Sequence, residues 1–466
     1  MKHLASLASA LVLLATASAS AVPVVSDVVV SQDNRRLATI TYRLSSVPAV
    51  VTLDIQTNAT DDVWISIGGA PLSAGVSGDV FRRIDEVKDV YSINWNPLAA
   101  WPDQRTGPEG LRAVVTAWAV DATPPCLVVD LAEASAERIR YYPSTDYLPG
   151  GLFANPAYRE SKLVMRRIDA KNIPWTMGST WEPNRFDAGS ATLSIHPNAF
   201  GHTAMLTNNY YMAIFETTHA QWRAVTGGDS PSTGARFDVE GDRRPVEQAY
   251  PRVVRGTMAW PAPPTEWSFL GKLRTRTGLD FDLPSEAEWE YACRAGTVEG
   301  EWNTGVRSET TVKWYAVNGS GGNRLCSDNV PGRYLFNGGY IPNEICTSYT
   351  EPSAATQDLT YATIEVGSIH PPNAWGLYDM HGNVVELCLD YYAADITAFG
   401  GRVQNDPSLC PEGLARSVVR GGGFRSHHAS EMFPSCRQHT VCGGGDNDQK
   451  WVYQHGVRVV CRAGLH

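Results

Sequence analysis

Short segments in which apolar and polar residues alternate occupy the chain from Val24 to about Leu131, and this pattern constrains its fold most strongly. Such alternation is typical of strands with one buried face. In LATITYRLS (Leu37–Ser45), the predicted core-facing residues are Ala38, Ile40, Tyr42 and Leu44, and the predicted solvent-facing residues are Thr39, Thr41 and Arg43. Several such segments separated by Asn, Asp, Gly and Pro predict an antiparallel β-sandwich of immunoglobulin-like type over residues 22–135. Since a fold alone implies no function, we interpret this region as a spacer or adhesion module.

The first 21 residues have the organisation of a secretory signal peptide. A lysine and a histidine precede an apolar run from Leu4 to Thr16, and small residues follow it up to Ala21. This order matches the n-region, h-region and small-residue cleavage site of exported proteins. The apolar run is shorter than the ~20 residues of a membrane-spanning helix. We therefore expect cleavage near Ala21, a secreted or extracytoplasmic protein, and no membrane span.

Length, charge and cysteine content limit the number of domains, the kinds of partner and the state of the cysteines. At 466 residues the chain is long enough for two domains, and we predict a linker at residues 136–170 followed by a second domain at 171–466. A formal net charge of -10 disfavours nucleic acid and anionic membranes as main partners. Nine cysteines in an exported chain favour disulfide formation.

The second domain is rich in Gly, Trp and Pro, with few helical signals. In ETTHAQWRAV, Thr218 and Gln221 occupy capping-box positions at the start of a predicted helix. In LPSEAEWEYACRAG, Ser285 and Glu288 repeat this arrangement. A long domain with few helices and many turns predicts an irregular α+β fold.

Five motifs follow one another along the second domain: YYMAIFETTHAQWRAVTG, LPSEAEWEYACRAGT, PPNAWGLYDMHGNVVELCLDYY, VVRGGGF and GVRVV. In this order they resemble the motifs of the formylglycine-generating enzyme family, also called sulfatase-modifying factors. The resemblance covers about Trp175 to Arg462. It implies a compact α+β fold related to C-type lectins, usually with structural calcium. Active aerobic members use two cysteines in the loop after the RGG motif to bind copper and to oxidise a sulfatase cysteine to formylglycine.

Alignment on Arg420 and the glycines that follow places Ser426 and Glu431 at the two thiol positions. Neither side chain replaces a thiolate, because a soft sulfur pair is what holds Cu(I). We therefore expect neither copper nor formylglycine generation. The resemblance also implies a structural disulfide between Cys293 and Cys436, while the partners of the other cysteines stay open, namely Cys126, Cys326, Cys346, Cys388, Cys410, Cys442 and Cys461.

The resemblance further implies calcium ligands in DMHGNVVE: the side chains of Asp379 and Glu386 and the carbonyls of Gly382 and Val384. A second family site would use Asp358 and the carbonyl of Thr360. Oxygen ligands of this kind suit Ca²⁺. The alternative is that these acidic residues cap turns or pair with arginines, as acidic residues in loops commonly do.

The loop from Ser426 to Thr440 and the segment around Trp451 are the predicted ligand-binding face, with a glycan, peptide or protein as the expected partner. The candidate ligand-binding residues are His427, His428, Glu431, His439 and Trp451. An alternative is an active enzyme of the same superfamily, which generates formylglycine or performs another metal-dependent oxidation in this cleft. Glu431 would then be the general base, and the histidines would be acids or, with Cys436, metal ligands. We expect Trp289 and Trp375 to belong to the core.

Overall fold

The computed structural model describes most of the chain, with gaps. The described residues are 22–60, 63–107, 109–178, 201–228, 230–231, 241–257, 262–297, 313–316, 323–326, 363–368, 370–392, 404–405, 416–424, 426, 434–441 and 454–462. Within them the fold is β-rich, with short helices and several separate sheets. Within these ranges, too, no helix combines the length and apolar character needed to cross a bilayer.

The N-terminal region consists of two antiparallel sheets. One has the strand order β1-β2-β7-β5, and the other has the order β4-β3-β6 with β8 also paired to β3. Two short helices connect its strands. The elements are β1 (Val25–Gln32), β2 (Ala38–Leu44), β3 (Ala49–Thr60), β4 (Val63–Ser66), α1 (Gly69–Ala74), β5 (Val76–Gly78), β6 (Arg82–Ile84), β7 (Tyr91–Trp95), α2 (Pro97–Ala100) and β8 (Leu111–Ala119).

The alternation in β2 predicts its burial well. Ala38, Ile40 and Tyr42 are buried, Arg43 is exposed, and Leu44 is half-buried near the end of the strand. Buried residues of β2 (Ala38, Ile40 and Tyr42) and of β3 (Val51, Leu53 and Ile55) belong to one apolar cluster, so the two sheets share a core. The immunoglobulin-like topology itself stays a prediction.

The second region begins with β9 and contains two further sheets that matter for the site. A six-stranded sheet has the order β10-β9-β11-β14-β23-β15, and a four-stranded sheet has the order β21-β20-β18-β22. The elements are β9 (Cys126–Asp130), a 3-10 turn (Ala136–Arg138), β10 (Ile139–Tyr142), a 3-10 turn (Thr145–Tyr147), α3 (Ala157–Glu160), β11 (Lys162–Ile168), β12 (Pro174–Met177), β13 (His202–Met205), β14 (Tyr210–Ala213), α4 (His219–Thr226), α5 (Pro251–Val254), α6 (Phe269–Thr277), β15 (Phe281–Asp282), α7 (Glu286–Arg294), β16 (Lys313–Ala316), β17 (Asn323–Cys326), β18 (Val385–Tyr391), β19 (Gln404–Asn405), β20 (Arg416–Arg420), β21 (Gln438–Val441), β22 (His455–Gly456) and β23 (Val460–Cys461).

The structure differs from the predicted boundaries at residues 126–170. Strand β9, assigned to the sandwich from its sequence, pairs instead with β10 and β11, which lie in the predicted linker. Strand β11 then pairs with β14 of the second domain, with Met165 opposite Ala213. The physical reason is burial on both faces: four of the five residues of β9 are buried, so it is an interior strand and not a one-sided sandwich strand.

Both predicted capping boxes are present. Thr218 and Gln221 cap α4 reciprocally, and Ser285 and Glu288 do the same for α7. These contacts satisfy N–H groups that the first helical turn leaves without partners. The N-terminus of α7 is thereby fixed, and this helix carries Glu286, Trp289 and Cys293 towards the candidate site.

Candidate functional site

A buried arginine at the end of β20 holds both ends of the loop that follows it. The Arg420 guanidinium group is 2.9 Å from Glu286 Oε1 through Nε and 3.0 Å from Glu290 Oε2 through NH2, both on α7. It also donates hydrogen bonds to the backbone carbonyls of Pro434 and Cys436, the latter at 3.3 Å. The start and the end of this loop are therefore tied to the same helix.

Arg437 makes a second contact with the same carboxylate, with its NH2 2.8 Å from Glu286 Oε2. Burial alone raises the pKa of Glu286, but the guanidinium groups of Arg420 and Arg437 outweigh burial and hold that pKa below its usual value. Glu286 is therefore a charged anchor between the two arginines.

Ser426, which the resemblance aligns with the first thiol position of the family loop, closes a tight turn. Its backbone N–H donates to the Gly423 carbonyl at 2.8 Å, and its Oγ accepts from the Gly423 N–H at 3.0 Å. The residue is fully buried. Its hydroxyl is thus committed to the backbone of the turn.

The structure describes only one of the five residues predicted to form the ligand-binding face, and only through its backbone. His427, His428, Glu431 and Trp451 lie outside the described residues. His439 lies in β21, opposite Val418 of β20, and only its backbone is described. Their assignment as ligand-binding residues stays a prediction.

The predicted calcium turn lies directly before β18. Asp379, Gly382 and Asn383 all have positive φ angles, of 55°, 85° and 65°, and so form a tightly coiled loop. Asp379 Oδ2 accepts a hydrogen bond from the Gly367 N–H at 2.6 Å. Burial raises the pKa of Asp379 to about 6. Asp358 and Thr360 of the second predicted calcium site lie outside the described residues.

Glu386 is paired with an arginine, as the alternative interpretation of the sequence anticipates. Arg458 donates through Nε to both carboxylate oxygens, at 3.0 and 2.9 Å, and through NH2 to Oε1 at 2.6 Å. Trp289 Nε1 donates to Oε2 at 2.6 Å. All three residues are almost completely buried. The predicted position of Trp289 in the core is therefore confirmed, whereas Trp375 is half-buried.

A third carboxylate, which the sequence did not point out, lies in this cluster. Glu216 follows β14 and is fully buried. Its Oε2 accepts from Asn383 Nδ2 at 2.6 Å, and its Oε1 accepts from the Val384 N–H at 3.1 Å. Burial, followed by the charges of Asp379 and Glu386, raises the pKa of Glu216 well above its usual value. In the sequence, the burial of Glu216 is indicated only by its position directly after the apolar run YYMAIF.

The oxygen-rich composition of this cluster suits a calcium ion. Glu216, Asp379 and Glu386 place three carboxyl groups near the guanidinium group of Arg458. Ca²⁺ prefers oxygen ligands, both from carboxylates and from backbone carbonyls. Over the described ranges, no three His, Cys, Asp or Glu side chains are arranged to hold a metal ion. The predicted calcium ligands include only two such side chains, those of Asp379 and Glu386. That finding concerns groups of three and therefore does not test them, and the calcium site stays a prediction.

Cys293 is a completely buried thiol on α7, with its Sγ 4.0 Å from the Met380 carbonyl. Burial raises the pKa of this thiol. No disulfide joins it to Cys436 in the structure. The Arg420 contact to the Cys436 carbonyl nevertheless brings the residue close to α7, and the pairing stays a prediction.

The family model of the sulfatase-modifying factor enzyme 1-like domain matches residues 174–463, more than half of the chain. The chain belongs to this family. The match begins at the first residue of β12 and includes the loop after Arg420 as well as the cluster around Glu386.

Individual relatives match shorter segments. A formylglycine-generating enzyme from Thermomonospora curvata is 28% identical over 147 residues, which cover 32% of this chain and 39% of that enzyme. A serine/threonine-protein kinase, pkn1, from Chlamydia pneumoniae is 42% identical over 57 residues, 12% of this chain and 9% of the kinase. The chain thus spans well under half the length of these curated relatives. Among solved structures, variable protein 1 of Treponema denticola has a TM-score of 0.43 at 21% identity, covering 65% of this chain and 96% of that one.

Proposed function

We propose that this chain is an exported member of the sulfatase-modifying-factor family that no longer generates formylglycine and instead binds a ligand. The carrying observation is Ser426: it occupies the first thiol position and uses its hydroxyl to close a buried turn with Gly423. An oxygen already bonded to a backbone N–H cannot take over the role of a copper-binding thiolate.

The second thiol position is occupied by Glu431, a hard oxygen ligand and not a soft sulfur one. Without the thiol pair, copper is not an expected cofactor. The proposed role for the loop is to present side chains to a glycan, a peptide or a protein. The contacts of Arg420 and Arg437 with Glu286 support this role, because they hold the base of the loop on a capped helix.

We further propose that calcium stabilises the scaffold at the turn between Asp379 and Glu386. The buried carboxyl oxygens that Asp379 and Glu386 bring to this turn support the proposal, since Ca²⁺ prefers oxygen ligands. The ion would supply structural stabilisation only. Asp379 and Glu386 would contribute side chains, and Gly382 and Val384 would contribute carbonyls. The N-terminal pair of sheets would act as an immunoglobulin-like spacer.

Restoring the thiols tests the loss of copper chemistry. Cu(I) would be titrated against the parent chain and against the double variant Ser426→Cys/Glu431→Cys, with a competing chelator to report affinity. We expect Cu(I) affinity only in the double variant. Copper bound by the parent chain, and lost on Glu431→Gln, would contradict the proposal and favour the metal-dependent enzyme.

A ligand screen tests the binding role. The parent chain would be applied to glycan and peptide arrays together with Glu431→Gln, and with Glu137→Gln in the turn between β9 and β10 as the matched control. We expect a ligand whose binding weakens with Glu431→Gln and is unchanged with Glu137→Gln. Conversion of a bound ligand that stops with Glu431→Gln while binding persists would favour an enzyme.

A further inference from the structure

We propose that Glu216 is the residue that positions the calcium-binding turn, by fixing the peptide group between Asn383 and Val384, which lies between the two carbonyls predicted to bind the ion. This inference rests on the calcium scaffold proposed above. Glu216 is not itself among the predicted ligands. It acts through Asn383 and Val384, and nothing in the sequence pattern of the turn identifies it.

The contacts of Glu216 reach both sides of the turn. One carboxylate oxygen accepts from the Asn383 side chain at 2.6 Å, and the other accepts from the Val384 N–H at 3.1 Å. Val384 lies between the turn and β18, where its carbonyl is one of the predicted ligands. That N–H belongs to the peptide group between Asn383 and Val384, which lies between the predicted carbonyl ligands Gly382 and Val384. Glu216 therefore restricts the orientation of the peptide groups on either side of it.

Asn383 extends this restriction to two other segments. Its Oδ1 accepts from the Ile364 N–H at 3.0 Å, and its own carbonyl accepts from the Phe424 N–H at 2.8 Å. Phe424 belongs to the loop that follows Arg420. The backbone of Asn383 has a φ of 65°, a conformation that asparagine tolerates better than most residues. Glu216 therefore holds a residue that links the calcium turn to the proposed ligand-binding loop.

The arrangement requires a carboxyl group at position 216. Two N–H donors converge on its two oxygens, and a glutamine has only one acceptor oxygen to offer. Its amide NH₂ would face one of the donors within a buried site, where an unsatisfied donor is costly. Residues that orient metal ligands in this indirect way typically change metal affinity by about 10- to 100-fold when they are replaced.

A double substitution can exchange the hydrogen-bond donor and acceptor between positions 216 and 383. In Glu216→Gln/Asn383→Asp, the glutamine oxygen accepts from the Val384 N–H, and its NH₂ donates to the new aspartate. The other aspartate oxygen still accepts from the Ile364 N–H. The double variant therefore restores the two contacts of residue 216 and keeps three carboxyl groups in the cluster.

The test measures calcium binding to the full chain by calorimetry, and the rise in melting temperature with CaCl₂ relative to EGTA. We expect Glu216→Gln to weaken calcium binding at least about tenfold, and the double variant to recover most of the affinity. Asp282→Asn is the matched control, since Asp282 is a buried carboxylate paired with Arg255 outside the turn. It should lower stability but keep the calcium response.

The outcomes separate the two proposals. If the parent chain shows no calcium response, the calcium scaffold fails and this inference fails with it. If the parent chain responds and Glu216→Gln responds equally, only the role of Glu216 is overturned. Should Glu216→Gln not fold, the double variant decides: recovered binding supports the role, and a folded double variant without binding contradicts it.

In the parent chain in EGTA, hydrogen exchange at Val384 should already be slow, and fast exchange would contradict the inference.

Discussion

The two regions of this chain satisfy their polar groups in different ways. In the N-terminal sheets, the pair of Arg43 and Asp27 has side chains that are 55% and 69% exposed. In the second region, the pair of Arg458 and Glu386 is 0% and 1% exposed. Water screens the first pair, whereas the second must compensate its own desolvation. The pair of Arg458 and Glu386 thus joins segments of the second region that are distant along the chain by a buried contact between charges.

The largest expected effect tests this contrast directly. Arg458→Met leaves Glu386 buried without its guanidinium partner, and breaking a buried pair in this way typically costs about 3–5 kcal/mol. Its matched control, Arg43→Met, should change the free energy of unfolding by less than about 1 kcal/mol, because that pair is exposed. Urea unfolding of both variants measures the difference. Equal small losses would mean that the buried pair does not stabilise the second region.

A second effect depends on pH and arises from Asp390 on β18. Its Oδ2 accepts from the Glu286 N–H at 2.6 Å. Burial, followed by the charge of Glu286, raises the pKa of Asp390 to about 8, against the lowering effect of Arg437. Because the folded state holds this proton more tightly than the unfolded state, its contribution to stability is present at low pH. That contribution is lost as the pH rises from about 4 through 8.

Asp390→Asn removes this titration but keeps an oxygen that can accept from the Glu286 N–H. We therefore expect the variant to gain stability relative to the parent chain between pH 5 and pH 8. Urea unfolding at the two pH values measures the change, with the exposed Asp27→Asn as the control. A constant difference between variant and parent at both pH values would contradict the assigned pKa shift.

The smallest effect compares two serines that each accept a backbone N–H. Ser426 does so in a fully buried turn, and Ser45 accepts from the Val24 N–H at an exposed position. Ser426→Ala leaves the Gly423 N–H unsatisfied and should cost about 1–3 kcal/mol. Ser45→Ala should cost less than about 0.5 kcal/mol, because water replaces the hydroxyl. Urea unfolding of the two variants provides the comparison, and similar losses would show that burial does not distinguish these contacts.

The sequence predicted the local elements of the fold more completely than its long-range pairings. The period of two in β2 and the capping boxes of α4 and α7 depend on neighbouring residues, and the structure confirms them. The pairing of β11 with β14 depends on burial by distant segments. Strand β9 lacks a polar face, so its sequence does not indicate which sheet contains it.

In the candidate site, too, local features could be predicted from the sequence, whereas contacts between distant segments could not. The alignment of Ser426 with a thiol position is a prediction from the family motif, and the structure adds that the serine closes a turn. The role of Glu216 could not be predicted, because Asn383 and Val384 are 167 and 168 residues away along the chain. Glu386 was predicted either to bind calcium or to pair with an arginine, and its contact with Arg458 identifies the arginine.

The most direct test of the central claim is the oxidation of a Cys-x-Pro-x-Arg peptide. The chain would be incubated with the peptide, copper and dioxygen, and the peptide mass would be followed by mass spectrometry. The formylglycine-generating enzyme of Thermomonospora curvata would serve as the positive control. We predict no aldehyde product with this chain. Formylglycine formed by the chain, and absent when the chain is omitted, would contradict the loss of catalytic function.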